Sequence, residues 1–235
     1  MPDNTIQLAV IDMAGTTVAD DGLVVSAFES AASAVGVPES GPERDKARQY
    51  VLDTMGQSKI SVFRALFGTE ERAQQANAAF ERAYEQLIDE GRAEPIDGAA
   101  QAITRLRDAG VKVALTTGFS GTTQEKLLAA LGWESLADLV LAPGDGVRGR
   151  PNPDLILSAL MRLQVDGVQN VAALGDTSSD VESALRAGVA VAAGTLTGAH
   201  NEEQLRTAGA THVVGSVSEF ADLILRQPSS EEKES

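Results

Sequence analysis

Two periodicities of apolar residues alternate along this chain. Short, mostly apolar runs occur at Gln7–Ile11, Val111–Leu115, Leu139–Leu141, Val171–Leu174, Val189–Ala193 and Thr211–Val214, and most are followed at once by Asp, Thr or Gly. Such runs predict strands buried on both faces. Between them, apolar residues recur at helical spacing over Gly98–Ala109, Thr122–Leu131, Pro153–Leu163, Ser178–Ala187, Glu202–Thr207 and Ser218–Arg226. Gly110 and Gly188 stop two of these helices and Pro153 opens one. Repeated strand–helix units predict an α/β fold, a Rossmann-like, doubly wound parallel sheet. One stretch breaks the alternation. From Leu23 to Gly91 only helical spacing is found, at Val24–Val35, Glu43–Met55, Lys59–Phe67 and Glu70–Glu90, punctuated by Gly36-Val-Pro38, Gly56 and Gly68. This predicts an α-helical domain over residues 20–93, inserted after the first strand of a core built from residues 1–19 and 94–228. Residues 229–235 are expected to be a charged, disordered tail.

Composition narrows the function. The chain has 235 residues, 43% of them hydrophobic, enough for one or two domains with a sizeable core. It has no cysteine, which excludes a disulfide framework and a thiolate metal site and makes a reducing cytoplasm the simplest expectation. The first residues, Met1-Pro-Asp-Asn, carry neither the basic nor the apolar region of a signal peptide. No apolar run approaches the roughly 20 residues of a membrane span. The net charge of −15 disfavours nucleic acid and anionic membranes as partners. Against that charge the cluster Arg44, Lys46 and Arg48 reads either as a guide for an anionic substrate or as a solvated helix face. The chain holds five lysines and two histidines, so its acid–base options are few.

In an open parallel sheet, ligands bind beyond the carboxyl ends of the strands. Three predicted strand ends carry chemistry here: Asp12, Thr116-Thr117 and Asp176, with Asp180 four residues beyond the last. A fourth element, Gly149-Arg150-Pro151, follows the third strand. Asp12 is placed to attack phosphorus and form an acyl-phosphate. Carboxylates from two strands suit Mg²⁺, while a Thr hydroxyl and an Arg guanidinium suit phosphoryl oxygens. Each residue alone also reads as a helix cap or a surface group; the four in this order are far more specific.

Together they resemble the haloacid dehalogenase superfamily, in the subclass with an α-helical cap after the first strand, and the resemblance covers nearly the whole chain. It implies Asp12 as nucleophile, Thr117 as phosphate-binding hydroxyl and Arg150 as phosphoryl-stabilising cation. It also implies a Mg²⁺ site made by Asp12, Asp176, Asp180 and the backbone carbonyl of Ala14. Ala14 stands where most of the superfamily has a second Asp, the acid that protonates an alkoxide leaving group. Asp12-Met-Ala-Gly-Thr-Thr-Val18 with Ala at that position is similar to the phosphonatase family, the phosphonoacetaldehyde hydrolases. So is Met55-Gly-Gln-Ser-Lys59-Ile-Ser-Val-Phe-Arg-Ala-Leu66, which resembles the cap segment whose Lys forms a Schiff base.

The chemistry accounts for pairing Ala14 with Lys59. Breaking a carbon–phosphorus bond leaves no oxygen to protonate, and an iminium on Lys59 would accept the electrons instead. The resemblance further implies Met55, Gly118 and Phe119 as substrate contacts, a small phosphonate or phosphate substrate, and a homodimer formed through the caps. The chain departs from the family at Val62, where a His concerned with proton transfer is expected, at Ser61, and at Phe119, where a Tyr is expected. A family Cys in the loop leading into the cap has no counterpart. Ser58, Ser61 or a water are candidates for the missing proton relay, and His200 falls on the catalytic side of the predicted sheet. A phosphate-monoester phosphatase without its acid, losing roughly 10²–10⁴ in rate, and a vestigial ligand-binding module are the alternatives.

Overall fold

A computed structural model describes residues 5–144 and 146–226. The predicted tail, 229–235, lies outside the described residues. The chain begins with β1 (Leu8–Asp12), every residue of which is buried. Four helices follow: α1 (Leu23–Ala34), α2 (Pro42–Asp53), α3 (Lys59–Phe67) and α4 (Glu70–Asp89). Alternation then sets in, with α5 (Ala99–Asp108), β2 (Lys112–Thr116), α6 (Gly121–Leu131), β3 (Leu139–Leu141) and α7 (Asp154–Arg162). The chain ends with β4 (Val171–Gly175), α8 (Ser178–Ala187), β5 (Val191–Thr195), α9 (Glu202–Thr207), β6 (His212–Val214) and α10 (Val217–Leu225).

All six strands form one parallel sheet in the order β3-β2-β1-β4-β5-β6. The α/β, doubly wound reading of the sequence holds. Strand residues alternate between two apolar layers. Ala9, Ile11, Val113, Leu115, Ala172 and Leu174 join one; Leu8, Val10, Ala114, Val171 and Ala173 join the other, against α7 and α8. That is why the strands read as continuously apolar. β5 begins two residues later than expected. The Val189 N–H is turned back onto the Ala184 carbonyl, closing the end of α8 beyond left-handed Gly188, so it does not extend the strand.

The helices between β1 and α5 pack on one another through an aromatic stack. Phe28 and Phe63 stack at 6.2 Å between centroids, Phe63 and Phe80 meet edge-on at 5.9 Å, and Phe80 stacks on Tyr84 at 6.0 Å. Val62 is buried in this same apolar core. The chain crosses into and out of the helical segment side by side: Val18 bridges Pro95 antiparallel, Ala19 N–H donates to Glu94 at 2.9 Å, and Ile96 N–H to Thr17 at 2.9 Å.

Arg44 departs from both readings of the basic cluster. It is buried, ion-paired to Glu29, and donates to the Glu29 carbonyl at 2.8 Å and to the Ser33 hydroxyl at 3.2 Å. Arg48 joins the same carboxylate at 3.2 Å. Arg44 and Arg48 fasten α2 to α1, while Lys46 is exposed, as the solvated-face reading expects. Sequence spacing could not show this, because Glu29 lies on a different helix.

Candidate active site

Register places the candidate residues. Asp12 pairs with Thr116 across β1 and β2, so Thr117 stands one step past the sheet edge. Ile11 pairs with Leu174 across β1 and β4, which brings Asp176 to the same edge. β1 and β4 flank the point where the strand order reverses, where ligands of open α/β sheets bind. The turn after Asp12 is tight: the Met13 carbonyl accepts the N–H groups of Thr16, Thr17 and Val18 at 2.8–3.1 Å. Gly15 sits in this turn at φ +80°, where a side chain would be strained and its Cβ would fall 2.3 Å from an Asp176 oxygen.

Asp176 is held by the Ala199 N–H at 2.7 Å and lies 3.5 Å from the Thr16 hydroxyl. Asp180 closes a capping box with Thr177 at the start of α8, taking the Thr177 N–H at 3.1 Å. Arg150 reaches in from the loop after β3. Its Nη1 lies 2.6 Å from Asp12 Oδ1 and contacts Asp180 Oδ1. Its Nε and Nη2 are buried without a partner among the described residues, two donors of the kind a phosphoryl group satisfies.

One oxygen each from Asp12, Asp176 and Asp180 lie within 4.8 Å of one another, all on buried residues. Burial pushes the Asp12 carboxyl upward, against the Arg150 guanidinium that favours its charge. Asp176 is pushed well up by burial and by the charges of Asp12 and Asp180. Three buried carboxylates facing one guanidinium leave negative charge unbalanced, and hard oxygen donors at this spacing fit a divalent cation such as Mg²⁺. Ala14, whose carbonyl the family resemblance adds to that set, lines the same cavity.

Lys59, at the start of α3, lines this cavity with Asp12, Thr117, Gly118, Phe119, Met55 and Arg150. The cavity encloses about 390 Å³ outside protein atoms, part of it open to solvent. Part of the Lys59 side chain reaches the surface, but its Nζ is enclosed by protein, 5.6 Å from the Phe119 ring centre and 5.9 Å from that of Phe80. Burial brings its pKa down to about 8, against the opposing pull of the Asp20 carboxylate; Arg150 pushes it further down.

The helical segment meets the strand ends at near-backbone distance. Lys59 N–H donates to the Gly118 carbonyl at 3.2 Å. A Cβ on Gly118 would lie 2.7 Å from the Gln57 carbonyl oxygen, one on Gly149 would lie 2.5 Å from Ser58 Cβ, and one on Gly56 would lie 2.2 Å from Thr177 Oγ1. Glycine at these three positions lets the Met55–Lys59 stretch seat directly on the loops that carry Thr117, Arg150 and Asp176.

The expected residues therefore converge, whereas the suggested proton relays do not. Ser61 is exposed, Ser58 is buried against Gly149, and Val62 belongs to the aromatic core. His200 accepts the Ser178 N–H on Nδ1 at 2.9 Å, a support for the start of α8, and does not line the cavity. Asp20, which does line it, was not singled out from the sequence. Its Oδ1 accepts the Val24 N–H at 3.0 Å in the first turn of α1, from two residues ahead of the N-cap Gly22.

The sheet order and the aspartates at its strand ends define a doubly wound α/β protein with an acidic site of oxygen donors at its switch point. Residues 6–188 match the sequence model of the haloacid dehalogenase-like hydrolases, and the chain belongs to that family. It is 28% identical over 216 residues to a probable phosphatase, IndB, of Dickeya dadantii, covering 90% of each chain. It is 29% identical over 204 residues to a phosphonoacetaldehyde hydrolase of Pseudomonas aeruginosa, covering 83% of this chain and 74% of the relative. Its fold superimposes on a phosphonoacetaldehyde hydrolase-like protein from Oleispira antarctica with a TM-score of 0.79 at 22% identity, over 93% of this chain and 91% of that one.

Proposed function

We propose that this hydrolase cleaves the carbon–phosphorus bond of phosphonoacetaldehyde or a related β-carbonyl phosphonate. The observation that carries the reading is an enclosed lysine amine, with its pKa brought down to about 8, in one cavity with Asp12 and with Ala14 in place of an acid. A lysine that deprotonates near neutral pH is a nucleophile for carbonyls. An alanine at position 14 has no proton to give, and a carbon leaving group held as an enamine asks for none at oxygen. The phosphonoacetaldehyde hydrolases among the relatives point the same way.

In this reading Arg150 and Thr117 orient the phosphonate against Asp12. Lys59 condenses with the carbonyl, losing water to form an iminium. An Asp12 oxygen attacks phosphorus, the C–P electron pair moves into the iminium to give an enamine, and Asp12 carries the phosphoryl group. Water then hydrolyses the aspartyl-phosphate, and protonation and hydrolysis of the enamine free the aldehyde and Lys59. Asp12, Asp176 and Asp180 would hold Mg²⁺, which neutralises phosphoryl charge when bound. The seam formed by Gly56, Gly118 and Gly149 seats the Lys59 segment against the strand-end loops.

The second reading, a phosphatase of monoesters with good leaving groups, draws on the similarity to a probable phosphatase. Phosphate release from phosphonoacetaldehyde with Mg²⁺, compared between wild type and Lys59→Arg, separates the two. Release abolished by the substitution supports the phosphonatase reading. Release from aryl phosphates alone, unaffected by Lys59→Arg, replaces it with the phosphatase.

A further inference from the structure

The family's histidine relay is missing, and no histidine lines the cavity. One carboxylate outside the metal-binding cluster does line it: Asp20, in the linker just past the Val18–Pro95 bridge and ahead of α1. Its Oδ1 is fixed by the Val24 N–H at 3.0 Å, so the group is presented on a helix start and does not swing free. No ion pair joins Asp20 to Lys59 among the described residues, yet each feels the other's charge, and Asp20 is the carboxylate that acts most strongly on Lys59. Asp20 and Lys59 thus line one cavity without an ion pair between them among the described residues.

We propose that Asp20 is the acid–base group of the Lys59 imine, a role that rests on the phosphonatase reading. The Asp20 carboxylate takes one proton from the Lys59 ammonium. The freed amine adds to the substrate carbonyl, and the amine proton passes to the alkoxide to give a neutral carbinolamine. The Asp20 carboxyl returns its proton to the carbinolamine hydroxyl, the C–O bond breaks, and water leaves as the C=N bond forms. Ammonium and carbonyl have become iminium and water, and Asp20 ends as it began. C–P cleavage leaves an enamine; once its carbon has taken a proton from solvent to give the iminium, the same steps run backward, with Asp20 taking a proton from the water that attacks the iminium.

Asp20 suits this work. Burial raises its pKa, while the Val24 N–H and Lys59 hold that rise back, so the pair is closer in proton affinity than an exposed Asp and Lys. Asp20 faces Lys59 from α3, with Asp21 beside it and the Tyr84 hydroxyl on α4 within its influence. Lys59 is faced by Asp20, Arg150, Asp12 and Asp176.

The test is borohydride trapping of the Lys59 adduct with phosphonoacetaldehyde, read by peptide mass, in wild type, Asp20→Asn and Asp20→Glu. Asn keeps an oxygen for the Val24 N–H, so that hydrogen bond survives, and the thermal midpoint verifies the fold. At pH 7 Lys59 is mostly protonated, and losing the Asp20 charge would by itself only raise its neutral fraction, so a slower rate in Asp20→Asn reports lost proton transfer and not Lys59 ionisation. The expected result is a trapping rate at pH 7 about 10²-fold lower in Asp20→Asn, within the usual range for a lost acid–base group. Recovery to within about tenfold of wild type is expected in Asp20→Glu. An Asp20→Asn rate at pH 7 equal to or above wild type overturns the role of Asp20 while leaving the imine intact. No Lys59 adduct in wild type overturns the phosphonatase reading, and this proposal with it.

Discussion

Gly149→Ala probes whether seating the Met55–Lys59 stretch on the strand ends is what positions the amine. The new Cβ would fall 2.5 Å from Ser58 Cβ and 3.3 Å from both Ser58 Cα and Pro143 Cβ. Carbon atoms need about 3.5 Å or more, so Ser58 and the adjoining Lys59 must retreat by about 1 Å. Neither clashing atom can rotate away, since a Cβ moves only with its backbone. A misplacement of 1 Å costs about 10²-fold when reacting groups must align. Phosphate release from phosphonoacetaldehyde should therefore fall about 10²-fold in kcat/KM with Gly149→Ala. Ser58→Gly removes the struck atom, and the Ser58 side chain makes no capping hydrogen bond on α3, so that change alone costs only a few tenths of a kcal/mol. The double variant should return to within a few-fold of wild type, since only Pro143 Cβ and Ser58 Cα, both at 3.3 Å, remain to shift slightly. Gly149→Ala with wild-type activity, or a double variant no better than the single, would refute the idea that steric fit at the seam sets the position of Lys59.

Lys59→Met should abolish phosphonoacetaldehyde turnover yet stabilise the fold. Holding a lysine from 10.5 down to about 8 costs about 3 kcal/mol at pH 7. The unfolded chain binds the extra proton between those values, so the advantage of Met is full below pH 8 and fades toward 10.5; urea melts at pH 7 and 10 check it. Imine trapping in Asp20→Asn should climb with pH and level by about pH 8, because there only the neutral amine attacks and no carboxylate takes its proton; a rate still climbing steeply above pH 9 would contradict the lowered Lys59 pKa. Mg²⁺ should raise the thermal midpoint by relieving repulsion among Asp12, Asp176 and Asp180, and Asp176→Asn should remove most of that rise. Arg150→Lys should raise KM and lower kcat together, since lysine cannot bridge Asp12 and Asp180 and still offer two planar donors to phosphate.

Strand-end chemistry was legible in the chain because a parallel sheet leaves little freedom: a buried apolar run ending in Asp12, Thr117 or Asp176 must deliver that residue to the same edge. Arg150 and Lys59 were legible only through motif resemblance, since neither lies on a strand and nothing local shows what they face. The contacts between the helical segment and the strand-end loops were not legible. Gly149 meets Ser58 and Gly56 meets Thr177 across more than 90 residues of chain, and a glycine needed for close approach looks like any glycine in a turn. Arg44 was misread for a related reason: its neighbours in sequence are exposed and charged, and only the docking of α2 on α1 buries it. Asp20 was hidden because it lies off the strand ends, and nothing local shows the cavity it lines.

Thr117, Gly118 and Phe119 are consecutive, and each has a different duty. Thr117 lines the floor beside Asp12, the Gly118 carbonyl receives the Lys59 N–H, and Phe119 walls the amine while packing on Tyr84 at 4.4 Å between ring centres, the rings tilted by 41°. Three residues committed in this way form a stretch that drift can scarcely alter, since a change made for the sake of a new substrate would also disturb the latch and the amine. Room for divergence lies instead with the Val24 side chain, which borders the cavity from the helical side without serving the latch. Laboratory selection for bulkier β-carbonyl phosphonates should accumulate its first substitutions there and spare the tripeptide.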